Sequence, residues 1–140
     1  MNHIYALIDS TLIWHIDTNI HVYQEDMPQL EKSTLENFLI TGKECVKLSD
    51  IPDLEIQIVL ISESKFLRIL KAGSWEMFYS LYPEVSGVLH ITRVGFNDRG
   101  DQALMYLSDE RSSGEAQGSL YLLQKENDWR IIDIFLLWIV

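Results

Sequence analysis

Arg93 and His90 are the side chains of this sequence best equipped for chemistry, and they share the run GVLHITRVGFN at residues 87–97. A guanidinium is a planar fork that grips a carboxylate or another anion through paired hydrogen bonds. An imidazole can act as a general base near neutral pH. Strand alternation puts Leu89, Ile91, Arg93 and Gly95 on one face and Val88, His90, Thr92, Val94 and Phe96 on the other. Arg93 is then expected inside an apolar strand, where an unpaired charge is prohibitive. Two roles fit it: an anion or carboxylate clamp, or a structural ion pair with Asp133 or Glu76. His90 has no nucleophile or acid beside it in sequence, so a hydrogen-bonded sheet histidine is the simpler reading.

The other candidates are weaker. Asn97 can hold the turn at residues 97–100 through its own backbone. His3, His15, Asp17 and His21 lack the spacing of a zinc site, so no metal is expected, and no cofactor motif is present. Cys45 is the only cysteine, which excludes an intrachain disulfide, and it reads as a buried or idle thiol. Tyr79, Tyr82, Tyr106, Tyr121 and Trp129 could line a pocket or simply fill the core.

The elements that must position these residues begin with a predicted helix over residues 3–16, from Ile4, Leu7, Ile8, Leu12 and Ile16 at spacings of three and four. A short strand is predicted at residues 20–23. Ser33-Thr34-Leu35-Glu36 reads as a capping box for a helix ending at Gly42. Residues 54–61 read as a strand. Two short helices follow, one capped by Ser62 and stopped by Gly73, the next restarting at Ser74 and stopped by Pro83. Four strands close the chain at residues 88–96, 103–107, 120–125 and 130–138, paired antiparallel because their connections are short. Gly100 supplies a hairpin turn. Residues 109–118 (DERSSGEAQG) read as the longest and most mobile loop. The expected fold is α+β: helices packed on one face of a four- to five-stranded antiparallel sheet formed mainly by the C-terminal half, in a single domain over residues 1–140.

The chain of 140 residues is 47% apolar, ample for a packed core. Its net charge of −10 opposes contact with nucleic acid or an anionic membrane. No segment approaches the roughly 20 apolar residues of a membrane span. The opening residues lack the basic stretch of a signal peptide, so a cytoplasmic protein is expected. The acids concentrate in residues 24–36, 50–63 and 98–115 and are expected to converge on one exposed side. Asp98, Asp101, Asp109, Glu110 and Glu115 would then contact a basic protein partner; otherwise these charges serve solubility.

The residues Trp75-x-x-Phe78, Tyr82-Pro83, Gly87, Arg93-Val94-Gly95-Phe96-Asn97 and Gln102-Ala103-Leu104 form a recognisable pattern. Gly118-x-x-Tyr121-x-Leu123, Trp129-x-Ile131 and Trp138-Ile139 continue it. Over residues 74–140 this resembles an uncharacterised family of bacterial proteins, with RVGFN and QAL as the most specific part. The resemblance implies a fold and no mechanism. More loosely, helices followed by a curved antiparallel sheet are similar to the NTF2-like and cystatin-like arrangement. The leading expectation is a non-enzymatic acidic binding module, for instance an immunity-type inhibitor of a basic partner. The alternative is an NTF2-like pocket protein, enzyme or ligand carrier, using Arg93 and His90.

Overall fold

The opening run Ile4–Ile8 is a strand, β1, where the spacing predicts a helix. The computed structural model describes residues 4–14, 25–48 and 57–140. A continuous apolar run satisfies helical spacing as readily as it suits a central strand covered on both faces. Ala6, Leu7 and Ile8 are all buried. The end of the predicted helix, the predicted strand at residues 20–23 and the start of that at residues 54–61 lie outside the described residues.

After β1 come α1 (Lys32–Thr41), β2 (Gln57–Ile61) and α2 (Glu63–Leu81). Then follow β3 (Val85–Ile91), β4 (Gly95–Phe96), β5 (Gln102–Ser112), β6 (Glu115–Lys125) and β7 (Trp129–Ile139). The sheet runs β2-β1-β3-β5-β6-β7, with β4 also paired to β5. β1 is parallel to both β2 and β3, and every other pair is antiparallel. The fold is therefore α+β with a seven-stranded, antiparallel-rich but mixed sheet, in place of the four to five antiparallel strands expected. β2 falls within the strand expected over residues 54–61, and the added strands are β1, between β2 and β3, and β4, split from the strand expected over residues 88–96.

Three local expectations are corrected. The strand predicted over residues 88–96 breaks at residues 92–94, leaving β3 and β4 as separate partners of β5. There the Thr92 hydroxyl accepts the Tyr106 N–H, which a backbone carbonyl would take in a regular ladder. The loop predicted over residues 109–118 is mostly strand: Asp109↔Gln117, Glu110↔Ala116 and Ser112↔Glu115 keep β5 and β6 paired almost to the turn. Polar side chains do not interrupt a ladder whose hydrogen bonds are made by the backbone. The capping box does not form, since the cap residue is Glu31 and makes no side-chain cap bond. Its backbone N–H goes instead to the Gln102 side chain on β5, at 2.8 Å.

α1 ends at Gly42 as predicted, and Ser62 caps α2 by accepting the Lys65 N–H at 3.2 Å. α2 breaks at Ser74 (φ 72°, ψ −175°), where the stop and restart were expected. Leu35 and Phe38 of α1 join Trp14, Met27, Leu30, Leu104, Tyr106, Leu120 and Leu122 in one buried cluster. Phe66, Ile69 and Phe78 of α2 join Ala6, Ile8, Ile61, Val85 and Val88 in another.

β7 forms one end of this sheet, and its register slips twice against β6. Leu122 pairs with Asp133 but Leu123 with Ile131, so Ile132 is an extra residue. Likewise Gly118 pairs with Trp138 but Ser119 with Leu136, leaving Leu137 extra. Both extra residues pack against the first cluster. The two bulges thus send additional apolar side chains to the core without disturbing the faces of their neighbours.

Candidate functional site

Arg93 falls in the break between β3 and β4, so it is not held within a strand. Its side chain is 39% exposed and pairs with Glu44, which follows α1, rather than with Asp133 or Glu76. The penalty of about 3–5 kcal/mol for stranding a buried charge does not apply to such a pair. An exposed pair contributes at most about 1 kcal/mol.

His90 is buried on β3 against the Phe66 ring, with centroids 6.0 Å apart. Its Nδ1 lies 3.8 Å from Glu110 Oε1 and makes no hydrogen bond. Burial lowers its pKa and the Glu110 carboxylate opposes that shift. His90 therefore faces Phe66 and Glu110 while Arg93 is engaged by Glu44, and the two are not brought into one site.

The lowered pKa has a consequence for stability. Protons bind the unfolded chain more readily than the native one between the ordinary value near 6.5 and the lowered native value. Stability should be full above about pH 6.5 and fall as pH drops through that window. Urea midpoints at pH 5, 6, 7 and 8 measure this, and His90→Gln should flatten the slope. Equal slopes for the two proteins would remove His90 as its source.

The five acids do not converge. Asp98 and Asp101 lie at the turn between β4 and β5, whereas Asp109, Glu110 and Glu115 lie at the other end of β5 and the start of β6. At about 3.3 Å per residue, Asp101 and Asp109 are roughly 25 Å apart, several times the Debye length in physiological salt. Each group has its own arginine. Arg99 donates to both Glu31 carboxylate oxygens at 2.8 Å and to Asp101 at 3.4 Å. Arg111 bonds Asp109 at 3.3 Å and lies 4.0 Å from Glu115. Asp109 and Glu110, adjacent on a strand, point to opposite faces. An open depression of about 280 Å³ beside them, lined by Asp109, Arg111, Glu115 and Ile139 among others, is smaller than an ordinary ligand pocket.

Around the first turn the motif residues build a buried staple. Asn97 Oδ1 accepts the N–H groups of Asp101 and Gln102, and its Nδ2 donates to Asp101 and Glu31. The Asn97 amide, then Arg99, hold the Asp101 carboxyl below its usual range. Gln102 ties the start of α1 to β5 and β6.

The aromatics divide as well. Tyr79 and Tyr82 pack around the second cluster, and Tyr106 belongs to the first. Tyr121 and Trp129 lie on the opposite face of the sheet. Burial pushes the phenols of Tyr79, Tyr106 and Tyr121 up, away from the range where a phenolate would serve at neutral pH. Among the described residues no group of three or more His, Cys, Asp or Glu side chains is placed to hold a metal ion. His3, His15, Asp17 and His21 lie outside them. Cys45 is exposed, not buried.

A surface not singled out from the sequence stands out instead. Cross-strand partners share a face, so Trp129, Ile131, Ile134, Leu136 and Ile139 lie together, opposite Lys125, Leu123, Tyr121, Ser119 and Gln117. These five apolar side chains are 39–65% exposed. Half-buried Met105, Leu107, Tyr121 and Leu123 extend the face inward, and Phe96 packs on Trp129 with ring centroids 5.9 Å apart. Arg130, Asp133, Phe135 and Trp138 take the other face, where Trp138 Nε1 donates to the Tyr106 hydroxyl at 2.7 Å. The signal was present in WRIIDIFLLWI: a sheet-end strand with one solvated face should alternate with polar residues, and this one does not.

Among known proteins, no family model, no curated protein and no solved structure matches the chain. Among the described residues no helix is long and apolar enough to cross a membrane.

Proposed function

We propose that this protein is a non-enzymatic binding module that works by contact with another folded chain, through the solvent-facing side of β5, β6 and β7. The observation that carries this reading is the row Trp129, Ile131, Ile134, Leu136 and Ile139, all exposed on one face. At roughly 200 Å² for a fully exposed large apolar side chain, the row presents about 500 Å². That is the size of the largest apolar patch on a typical soluble monomer, which is often a functional surface.

The narrower form of the reading, an immunity-type inhibitor of a basic partner held by Asp98, Asp101, Asp109, Glu110 and Glu115, has the net charge of −10 in its favour. The division of those acids into two arginine-paired groups weighs against it. The alternative pocket protein has less support, because Arg93 and His90 serve different neighbours. Likeness to the bacterial family and to NTF2-like proteins rests on the motif and the helix-then-sheet order alone.

Photo-crosslinking in cell extract tests the reading. A crosslinker at Leu136 should give a discrete protein adduct, while one at Asp98 or Glu110 should give none. An adduct only from the acidic positions would move the contact to the charged ends, and none from any position would end the binding-module reading.

A further inference from the structure

The occupant of this face is identifiable from its size, its charge and its symmetry. We infer that it is a second copy of the same chain, packed sheet on sheet about a twofold axis that passes Ile134. This rests on the reading that the apolar face is a contact surface, and adds which partner covers it.

Size comes first. The five β7 side chains with Phe96 and the half-buried Met105, Leu107, Tyr121 and Leu123 offer on the order of 800 Å², about what each partner contributes to a standard interface. Charge narrows the partner. Two copies carrying −10 each repel at long range, and can meet only where the local surface is nearly neutral. On this face Asp109 is paired with Arg111, Glu115 at the Ile139 end is offset by Lys125 at the Trp129 end, and the β7 row itself carries no charge, since Arg130 and Asp133 point the other way. A basic partner would find no acid row to engage here.

Symmetry is the strongest ground. A twofold interface is self-complementary: residue i meets j, and j meets i. In β6 register the row falls opposite Lys125, Leu123, Tyr121, Ser119 and Gln117, evenly spaced and centred on Ile134. Reversing the strand about that centre sets Trp129 against Ile139, Ile131 against Leu136, and Ile134 against itself. All of these contacts are apolar on apolar. The bulges at Ile132 and Leu137 keep this spacing even, and the same bulges blunt β7 as a template for edge-to-edge pairing. Stacked faces, about 10 Å apart, are therefore the mode of contact.

Sedimentation velocity between about 1 and 100 µM tests the inference on the purified chain. The wild type should be a dimer whose dissociation constant does not weaken when salt rises from 50 to 500 mM. Ile134→Glu sets two carboxylates against each other on the axis, and should weaken dimerisation at least 100-fold while circular dichroism stays native. Should that variant lose its fold, cysteine crosslinking decides. In a Cys45→Ser background, Ile134→Cys should link to itself through a short bismaleimide. Trp129→Cys should link only when mixed with Ile139→Cys. A wild type that stays monomeric at 100 µM, or a dimer untouched by Ile134→Glu, overturns the second copy. If the purified chain is monomeric yet the Leu136 adduct forms in extract, the second copy fails and the binding-module reading stands.

Discussion

Gly95→Val should destabilise the protein by about 3 kcal/mol, near the upper end for overpacking a core, although it adds only a small apolar side chain. A Cβ at Gly95 would lie 2.4 Å from both the Cα and the N of Phe38, and 2.6 Å from its Cβ. Carbon atoms in contact sit about 3.5–4.0 Å apart, so something must move by more than 1 Å. The obstacle is helix backbone, which cannot swing aside like the tip of a flexible side chain. Either α1 retreats from β4, or β4 gives up its pairing of Gly95 with Leu104 and Phe96 with Ala103. Both routes open the cluster around Phe38, which is 1% exposed. Because the clash begins at Cβ, Gly95→Ala should already show most of the loss. Gly114→Ala, where nothing lies within 4 Å, is the control and should stay within about 0.5 kcal/mol. Urea unfolding of the three variants measures the effect. Equal midpoints for Gly95→Ala and Gly114→Ala would mean that α1 does not approach β4 this closely.

The same glycine shows where the sequence was readable. RVGFN and QAL are visible as a motif, but their work is done against α1, whose residues lie far away in the chain: Glu31 and Gln102 are 71 positions apart. Nothing local to the motif says that Gly95 makes room for Phe38. The presence of β5, β6 and β7 is legible because turn residues separate their apolar runs, although β5 and β6 extend well beyond residues 103–107 and 120–125, and Gly100 does take a positive φ of 73°. Alternation places Arg93 within a strand only if the strand continues through residues 92–94, and there the ladder breaks. β1 imitates a helix in its spacing because an apolar run buried on both sides has no period of its own. In β7 two bulges shift the phase twice, so counting by two could not say which of Ile131, Ile132, Ile134 and Leu136 face the core. The excess of apolar residues in β7 is legible, but the two bulges conceal which of them share the exposed face.

Gln102→Leu should be more damaging still, at about 4 kcal/mol when several buried partners each lose about 1–3 kcal/mol. Gln102 is 2% exposed, and its side chain makes four hydrogen bonds. Oε1 accepts from the Glu31 N–H at 2.8 Å and from the Thr34 hydroxyl at 2.7 Å. Nε2 donates to the Gln29 carbonyl at 2.9 Å and to Gln124 Oε1 at 3.2 Å. Leucine is of similar size, so the substitution removes the polar atoms and leaves little cavity. Thr34, fully buried, then has no acceptor from β5, and the chain entering α1 loses its tie to the sheet. A double-mutant cycle separates this from loss of packing. Thr34→Val alone leaves Gln102 Oε1 with the Glu31 N–H and should cost about 1 kcal/mol. In Gln102→Leu it removes the stranded hydroxyl, so the double variant should be more stable than the sum of the singles by at least about 1 kcal/mol. Hydrogen exchange supplies a local check, since the amides of α1 should lose protection ahead of those of β5. An additive cycle, or a loss below about 1 kcal/mol for Gln102→Leu, would show that α1 is held by its apolar face alone and that the buried glutamine is incidental to it.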